Sequence, residues 1–307
     1  MSLLKSARLQ ASEMEPDSEL PTRSGMGAKF DGARDSALFG RCSNAECRSG
    51  WIQLFRSRTS PIFEAGWLCS PECTRARVRV AVRRELEGWL QNGEPYRHRI
   101  PLGLVMLEQG WITSQQLRRA IEAQRNAGKL RLGEWLVKQG ATTEELVSRA
   151  LSIQWSCPVL SLAGLTVTHE LLPRLFVEAF GALPLQDASG RIAYLGFEQS
   201  VDTALAFSVG KMAGKRVESG ILQSVSHLEG VGRIRNEMFP EAQVAEAASE
   251  HAAAHLLAKS IERVQPASSR LVRVHDWLWL RMILKRKSGA VLDLASIRDV
   301  VCRVGPF

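Results

Sequence analysis

The chain has 307 residues, of which 45% are hydrophobic and 23% are charged. This composition is ordinary for globular proteins and excludes a chain that is too polar to bury a core. The formal net charge of +8 and the pI of about 9.5 are compatible with an anionic partner but do not require one.

The N-terminal residues do not show the pattern of a signal peptide. They lack its basic end and apolar stretch, and no apolar run in the chain approaches the ~20 residues that cross a bilayer. We therefore expect a cytoplasmic protein without a membrane span. Residues 1–38 are rich in Ser, Glu, Arg and Gly and show no hydrophobic period, which predicts a disordered leader.

Four of the six cysteines cluster in the next segment, 39–94. The first pair is separated by four residues and the second by three, and twenty-one residues lie between the pairs. In a reducing compartment such spacing favours tetrahedral Zn²⁺ over disulfides. Four ordinary buried cysteines are the alternative. The predicted zinc ligands are Cys42, Cys47, Cys69 and Cys73.

The residues around these cysteines predict a treble-clef-like zinc module. Segments 50–58 and 61–69 have the composition of two strands, and a helix is predicted over 71–91 with the last cysteine in its first turn. A thiolate at a helix N-terminus also suits the helix dipole. Because four thiolates leave no open coordination position, the site is expected to be structural.

The predicted helix 71–91 is strongly basic. Residues 39–99 hold 11 Arg, no Lys and 6 Glu, a net charge of +5. One interpretation is a surface for nucleic acid. The other is a solvated helix face, with Val78, Val80 and Val82 packed inward. The arginines of this helix are Arg75, Arg77, Arg79, Arg83 and Arg84.

A short unit is repeated at an offset of thirty residues: PLGLVMLEQG over 101–110 and RLGEWLVKQG over 131–140. Each copy predicts a short helix, a glycine stop, a capped turn and a second helix, because Gly110 and Gly140 suit the left-handed position that ends a helix. Capping boxes are predicted at Thr113-x-x-Gln116 and Thr142-x-x-Glu145. The segment therefore predicts two helical hairpins in tandem.

The simplest interpretation of the repeat is a duplicated hairpin that serves stability. Three features favour a ligand as well. Gly103 and Gly133 lie at helix starts that an anion can approach, Arg131 lies just ahead of one start, and Gln124 and Gln154 close each unit with an amide.

The tandem motif resembles the MshEN domain, the cyclic di-GMP-binding N-terminal domain of type II secretion and type IV pilus assembly ATPases. The first copy has Pro101 where the motif has arginine. The resemblance implies a cyclic di-GMP site in which leucines face the guanines while arginines and backbone amides meet guanine edges and phosphates. It also implies a secretion, pilus or signalling protein as a partner. The matching residues are Leu102, Gly103, Met106, Gly110, Leu117, Ile121 and Gln124 in the first copy, and Arg131, Leu132, Gly133, Leu136, Gly140, Val147, Leu151 and Gln154 in the second.

The segment after the repeat predicts a small α+β layer. It reads as a strand (158–162), a helix (169–181), a hairpin (182–197), a helix (200–214) and a strand (216–224). With the repeat, it forms a predicted MshEN-like domain over 95–230.

The C-terminal segment, 241–307, predicts a helix followed by strands. An Ala-rich helix is predicted over 241–263, and two strands over 270–284 turn at His275-Asp276. The tail, 290–304, fits a strand or a helix. The predicted fold class is therefore α+β and multi-domain: a treble-clef-like zinc module, a tandem helical-hairpin domain with a small α+β layer, and a C-terminal helix plus β-hairpin.

The sequence does not indicate an enzyme. It contains no Gly-x₄-Gly-Lys-Ser/Thr motif, so the ATPase of the resembling family is missing, and no nucleophile–base–orienter set is visible. His251 and His255 share a helix face, but a solvated face explains them better than a metal. We predict a non-enzymatic regulator or adaptor. The alternative is a zinc-finger nucleic-acid-binding protein that uses the basic helix 71–91.

Overall fold

The structure of the chain is a computed structural model, in which part of the sequence is described. The predicted leader (1–38) and the predicted strand 50–58 lie outside the described residues. All described residues belong to one compact unit, Gly32–Phe307. The described residues are 41–48, 61–91, 99–128, 130–235, 237–284 and 293–305.

A small hairpin precedes the first helix. Strands β1 (Ile62–Phe63) and β2 (Gly66–Trp67) pair in antiparallel. The prediction of one strand over 61–69 is therefore wrong, because Glu64 and Ala65 adopt positive φ angles of 48° and 64° and reverse the chain. The predicted helix is confirmed as α1 (Pro71–Gln91), with proline as its first residue.

The two predicted helical hairpins are confirmed as α2 (Leu102–Glu108) with α3 (Ser114–Ala127), and α4 (Leu132–Lys138) with α5 (Glu144–Trp155). Their helix stops are the predicted glycines, which have positive φ angles of 68° at 110 and 66° at 140.

The first hairpin is capped as predicted, and the second is capped one residue later than predicted. In the first, the Gln116 backbone N–H donates to Thr113 Oγ1 at 3.2 Å, and the Thr113 N–H donates to Gln116 Oε1 at 2.7 Å, as predicted. In the second, the cap is Thr143, whose Oγ1 accepts from the Leu146 N–H at 3.4 Å. The box predicted from Thr142 is wrong because α5 begins one residue later.

The α+β layer contains a four-stranded sheet in the order β3-β4-β5-β6. Two predictions need correction. Segment 158–162 forms only an isolated bridge between Val159 and Ile221, and the helix predicted over 169–181 begins at Arg174, after Pro173. The sequence reading missed α8. The elements are β3 (Leu165–Val167), α6 (Arg174–Phe180), β4 (Leu183–Asp187), β5 (Ala193–Phe197), α7 (Thr203–Ala213), β6 (Val217–Ile221) and α8 (Ser224–Arg235).

The C-terminal sheet has the order β7-β10-β9-β8. The prediction of one helix over 241–263 is wrong in its first part, because residues 241–247 pair in parallel with the last strand and Ser249 caps a helix that begins at Glu250. The hairpin around His275 is confirmed, and the tail forms a strand. The elements are β7 (Glu241–Ala247), α9 (Glu250–Val264), β8 (Ser268–Val274), β9 (Trp277–Ile283) and β10 (Ile297–Val304).

Strands β8, β9 and β10 of the C-terminal sheet are buried on both faces, whereas most of β7 is exposed. One face, with Leu280 and Cys302, packs against α9 and against Phe63 and Val78 from the cysteine segment. The other face packs against the α+β layer. A third core joins the two helical hairpins. The predicted domain boundaries stay a prediction, since the C-terminal sheet shares its cores with both neighbouring segments.

A buried ion pair fixes the C-terminal sheet to the α+β layer. Arg281 Nη2 lies 2.8 Å from Asp299 Oδ2, and the Trp279 indole N–H donates to Asp299 Oδ1 at 2.9 Å. Arg281 also donates to the backbone carbonyl of Leu171 at 3.2 Å. The Trp279 ring meets Phe176 edge to face, with centroids 5.5 Å apart. Every charge in this contact is therefore partnered, as burial requires.

Candidate functional site

The four predicted zinc ligands meet at one point. The Sγ atoms of Cys42, Cys47, Cys69 and Cys73 all lie within 4.8 Å of one another. The Cys47–Cys69 separation is 3.5 Å and the Cys69–Cys73 separation is 3.6 Å. Four sulfurs around one tetrahedral Zn²⁺, at Zn–S distances of about 2.3 Å, lie about 3.8 Å apart. The thiols therefore fit a single tetrahedral ion.

The local fold explains why these thiols converge. The Ser43 N–H donates to the Trp67 carbonyl at 2.9 Å, which ties the first cysteine loop to β2. A Cβ at Gly66 would lie 2.2 Å from Ser43 Oγ, so glycine is needed for this approach. Cys73 is the third residue of α1, and Asn44 Nδ2 donates to its sulfur at 3.4 Å. A loop, a hairpin and a helix N-terminus thus supply the four sulfurs.

The chemistry of the cluster suits a structural cation. Cys69 and Cys73 are buried, and Cys42 and Cys47 are half-buried. Burial raises the pKa of the Cys42 thiol to about 12, so a bound cation would have to displace its proton. Among the described residues, this is the only group of three or more His, Cys, Asp or Glu side chains that lie close enough together to bind one metal ion.

The arginines of α1 are largely engaged within the chain. Arg84 donates to Glu64 at 2.8 Å and to the buried Glu85 at 2.9 Å, and these carboxylates raise the pKa of Arg84. Other ion pairs join Arg77 to Glu64 (3.9 Å), Arg75 to Glu72 (3.2 Å) and to Glu262 (3.5 Å), and Arg83 to Glu250 (3.3 Å).

Two of the three α1 valines that were predicted to pack inward are buried. Val78 and Val82 are fully buried, whereas Val80 is 57% exposed, because alternate positions cannot all face one side of a helix. Together with the ion pairs, this burial makes α1 a packed helix and weighs against a basic helix that is free to meet nucleic acid.

The glycines of the repeat serve close packing. A Cβ at Gly103 would lie 2.6 Å from Leu117 Cδ1, and one at Gly133 would lie 2.8 Å from Val147 Cγ1. The contacts also cross between copies: Leu132 Cδ2 would be 3.4 Å from the Gly103 Cβ, and Leu102 Cδ2 would be 3.6 Å from the Gly133 Cβ. Packing alone therefore accounts for both glycines, and the two copies contact each other reciprocally.

The glutamines that recur in both copies of the repeat also have a structural role. Gln154 Nε2 donates to the Ile100 carbonyl at 2.8 Å, and Gln124 Nε2 donates to the Leu130 carbonyl at 3.4 Å. Each accepting carbonyl lies two residues before the helix start, α2 or α4. We call residues 99–101 the first entrance and residues 130–131 the second entrance. Each glutamine thus holds one entrance in place.

The predicted apolar ligand contacts differ in exposure. Met106 and Leu136 are fully buried, so they belong to the hairpin core and do not offer a surface. Leu117 and Leu151 are also buried. Gly110 and Gly140 are exposed at the helix ends. The apolar side chains that keep some exposed surface are Leu102, Ile121, Leu132 and Val147.

A guanidinium group is present at each entrance. At the second, Arg131 is exposed, and its backbone N–H donates to Glu134 Oε2 at 3.0 Å. At the first, Pro101 carries no charge, but the Arg99 guanidinium lies over the Trp155 ring, 3.4 Å from its centroid. The sequence did not indicate Trp155 as the partner of Arg99. In the alignment of the two copies, Trp155 lies opposite Arg125, so the tryptophan is not part of the repeated pattern.

Part of the chain is similar to two solved structures. No family model and no curated protein matches it. A solved structure of MshE with cdg (cyclic di-GMP) is similar over 44% of this chain and 99% of its own, with 27% identity and a TM-score of 0.38. The N-terminal domain of XpsE is similar over 43% of this chain and 92% of its own, with 15% identity and a TM-score of 0.32.

Among the described residues, none of the helices combines the length and the apolar character needed to cross a membrane.

Proposed function

We propose that this protein is a non-enzymatic sensor or adaptor whose tandem hairpins bind cyclic di-GMP and whose cysteine cluster holds one structural zinc ion. The observation that carries the ligand proposal is the reciprocal pairing of the two hairpins. It brings Leu102 and Leu132 together and leaves one guanidinium at each entrance, from Arg99 and Arg131. A pseudo-twofold site of this kind suits a ligand that is itself twofold and dianionic.

The chemistry of the proposed site divides between its apolar and cationic groups. Half-buried leucine side chains supply a floor for a planar base, and a guanidinium can donate two parallel hydrogen bonds to a phosphate or to the edge of guanine. The Glu134 carboxylate accepts two hydrogen bonds, one from the Arg131 backbone N–H at 3.0 Å and one from Gln199 Nε2 at 3.1 Å. These bonds tie the second entrance to the α+β layer.

Calorimetry on the full chain tests the ligand proposal. We expect cyclic di-GMP to bind with a Kd well below millimolar, and the mononucleotide GMP to bind far more weakly because it spans one half of the site. Arg131→Ala should weaken binding about ten- to a hundredfold, the effect of losing a charge-assisted contact of roughly 1.5–3 kcal/mol. Arg118→Ala, on the exposed side of α3, is the matched control.

Absence of heat and of thermal stabilisation at millimolar cyclic di-GMP would contradict the ligand proposal. The tandem motif would then support a role in contacting a secretion, pilus or signalling protein, which we infer as the partner class from the resemblance. We expect this role to be performed in the cytoplasm.

Metal analysis tests the zinc proposal independently. We expect about one zinc ion per purified chain, which chelation removes together with much of the thermal stability. Purified protein with no bound metal and four freely reactive thiols would contradict it. We favour the sensor or adaptor function over nucleic-acid binding by α1. Four arginines of α1 are already paired with carboxylates of the same chain: Arg75, Arg77, Arg83 and Arg84.

A further inference from the structure

The outer edge of β7 is open in the part of the chain that the structure describes. β7 stands at the end of the sheet order and pairs with β10 through an unbroken register, from Glu241 opposite Arg298 to Ala247 opposite Val304. No bulge twists this edge away, and residues 241–247 include neither lysine nor proline, the residues that commonly protect an edge. It therefore presents a row of backbone donors and acceptors.

The opposite end of the sheet is covered. There the Ile62 N–H donates to the Pro266 carbonyl at 2.9 Å, and the Glu64 N–H donates to the Ser269 carbonyl at 2.8 Å. The β1 segment thus caps the β8 edge. The contrast shows that this fold covers one sheet edge with its own chain while β7 lacks such cover among the described residues.

A groove lies between α9 and β7, which it meets at Gln243. We call it the β7–α9 groove. It has a volume of about 360 Å³ and continues at His255 into a smaller cavity of about 130 Å³ between α9 and α1. The groove is lined by Gln243, His255, Leu256, Lys259, Ser260 and Arg263, and the smaller cavity by Arg75, Arg79, His251, Ala254 and His255.

The β7–α9 groove is cationic. Arg79 and Lys259 are exposed and form no ion pair with any residue that the structure describes. Arg263 donates to the neutral Gln243 amide at 3.3 Å, and His255 is exposed beside them.

The acidic side chains nearby do not neutralise it. Glu262 pairs with Arg75 at 3.5 Å, Glu250 pairs with Arg83 at 3.3 Å, and Glu241 pairs with Arg298 at 2.8 Å. Glu246 lies on the opposite face of β7 from Gln243, because side chains alternate along a strand.

We propose that the β7 edge and the β7–α9 groove together bind an extended acidic segment of a partner protein, which adds to the sheet as a fifth strand. Gln243 is opposite Val300 and Ala245 is opposite Cys302, and both of these β10 residues pack toward α9. A strand added beside β7 therefore points every second side chain toward the groove. Carboxylates at alternate positions would meet Lys259, Arg263 and His255, while the backbone pairs with β7.

The charges favour this occupant over a second copy of the chain. Two copies joined through their β7 edges would bring two pairs of cations, Lys259 and Arg263 from each copy, toward each other, which like-charge repulsion opposes. Nucleic acid would satisfy the cations but would leave the strand edge unpaired. Only an acidic strand uses both features.

A labelled synthetic peptide in which glutamate alternates with threonine and valine, long enough to span β7, tests the proposal on the full chain. We expect saturable binding that weakens about tenfold or more with Lys259→Glu plus Arg263→Glu, since each change replaces attraction with repulsion. Arg191→Glu, an exposed charge in the β4–β5 turn, lowers the net charge without touching the groove and should leave binding unchanged.

Two N-methylated peptides separate strand addition from simple charge attraction. One carries methyl groups on the glutamate amides, the other on the amides between them. A strand bonds its neighbour through alternate residues only, so one peptide should bind and the other should not. The proposal is overturned if both bind equally, if the glutamate peptide does not bind at millimolar concentration, if Arg191→Glu weakens binding as much as the groove variants, or if light scattering shows a dimer that Val244→Lys dissolves.

Discussion

The cysteine cluster and the tandem hairpins both come from short spaced motifs, but the two regions use their motif residues differently. In the cluster, all four cysteines direct their sulfur atoms to one point. In the hairpins, Gly103, Met106 and Leu136 are buried, and both motif glutamines bond the backbone. A motif of ligand atoms predicts a site directly. A motif of small and apolar residues first predicts a scaffold, and its ligand has to be inferred from what stays exposed.

Removing one cysteine should give the largest effect. We expect Cys73→Ser to abolish stoichiometric zinc and to lower the free energy of unfolding by about 4 kcal/mol or more, as loss of a structural metal does. Metal analysis and thermal denaturation measure both. Cys157→Ser, at a half-buried thiol outside the cluster, is the control and should keep its metal. A Cys73→Ser protein that retains one zinc per chain would contradict the four-ligand site.

A methyl group at the first repeat glycine should give the next largest effect. Gly103→Ala places a Cβ within 2.6 Å of Leu117 Cδ1, so we expect a loss of about 1–3 kcal/mol in denaturant unfolding. Gly232→Ala is the matched control, because Gly232 lies within α8 and has no atom within 4 Å of its Cβ position. Equal stability of the two variants would show that the hairpins do not depend on close approach.

Loss of the arginine at the first entrance tests whether the two entrances are equivalent. If Arg99, which lies over Trp155, supplies the guanidinium that Pro101 cannot, Arg99→Ala should weaken cyclic di-GMP binding about tenfold. Calorimetry at constant salt measures this change, and an unaltered Kd beside a weakened Arg131→Ala variant would mean that only the second entrance contacts ligand.

Restoring the motif arginine should give the smallest effect. Pro101 has φ −56° and ψ 139°, and Arg131 has φ −80° and ψ 163°, so an arginine fits at 101 without backbone strain. We expect Pro101→Arg to tighten cyclic di-GMP binding severalfold, because Arg99 already serves that entrance. Unchanged affinity in a titration would identify the first copy as scaffold only.

The parts of the fold that could be predicted are those set by neighbours in sequence. The close spacing within each cysteine pair, the stops at Gly110 and Gly140 and the hairpin turn at His275 are all local features, and the structure contains each of them. Local rules also located α7, whose cap is Asp202. Such elements depend on turn and cap chemistry that lies within a few residues.

The parts that could not be predicted depend on distant partners. Residues 241–247 have helical composition but pair with β10, because tertiary pairing outweighs even the high helix propensity of alanine. The ring of His275 contacts Asp202 at 2.6 Å, across seventy-three positions of sequence, and Arg99 meets Trp155 in the same way. The members of such a pair are too far apart in sequence for a local pattern to contain both.

The position of β10 has a consequence for how the protein is synthesised. β10 lies between β7 and β9, yet about 50 residues separate the end of β7 at Ala247 from the start of β10 at Ile297. At a ribosomal synthesis rate of about 5–20 residues per second, β10 is synthesised roughly 3–10 s after β7. β10 is the only partner of β7 among the described strands. During that interval we expect the nascent chain to expose the strand and the unfinished sheet, the kind of apolar surface that chaperones bind.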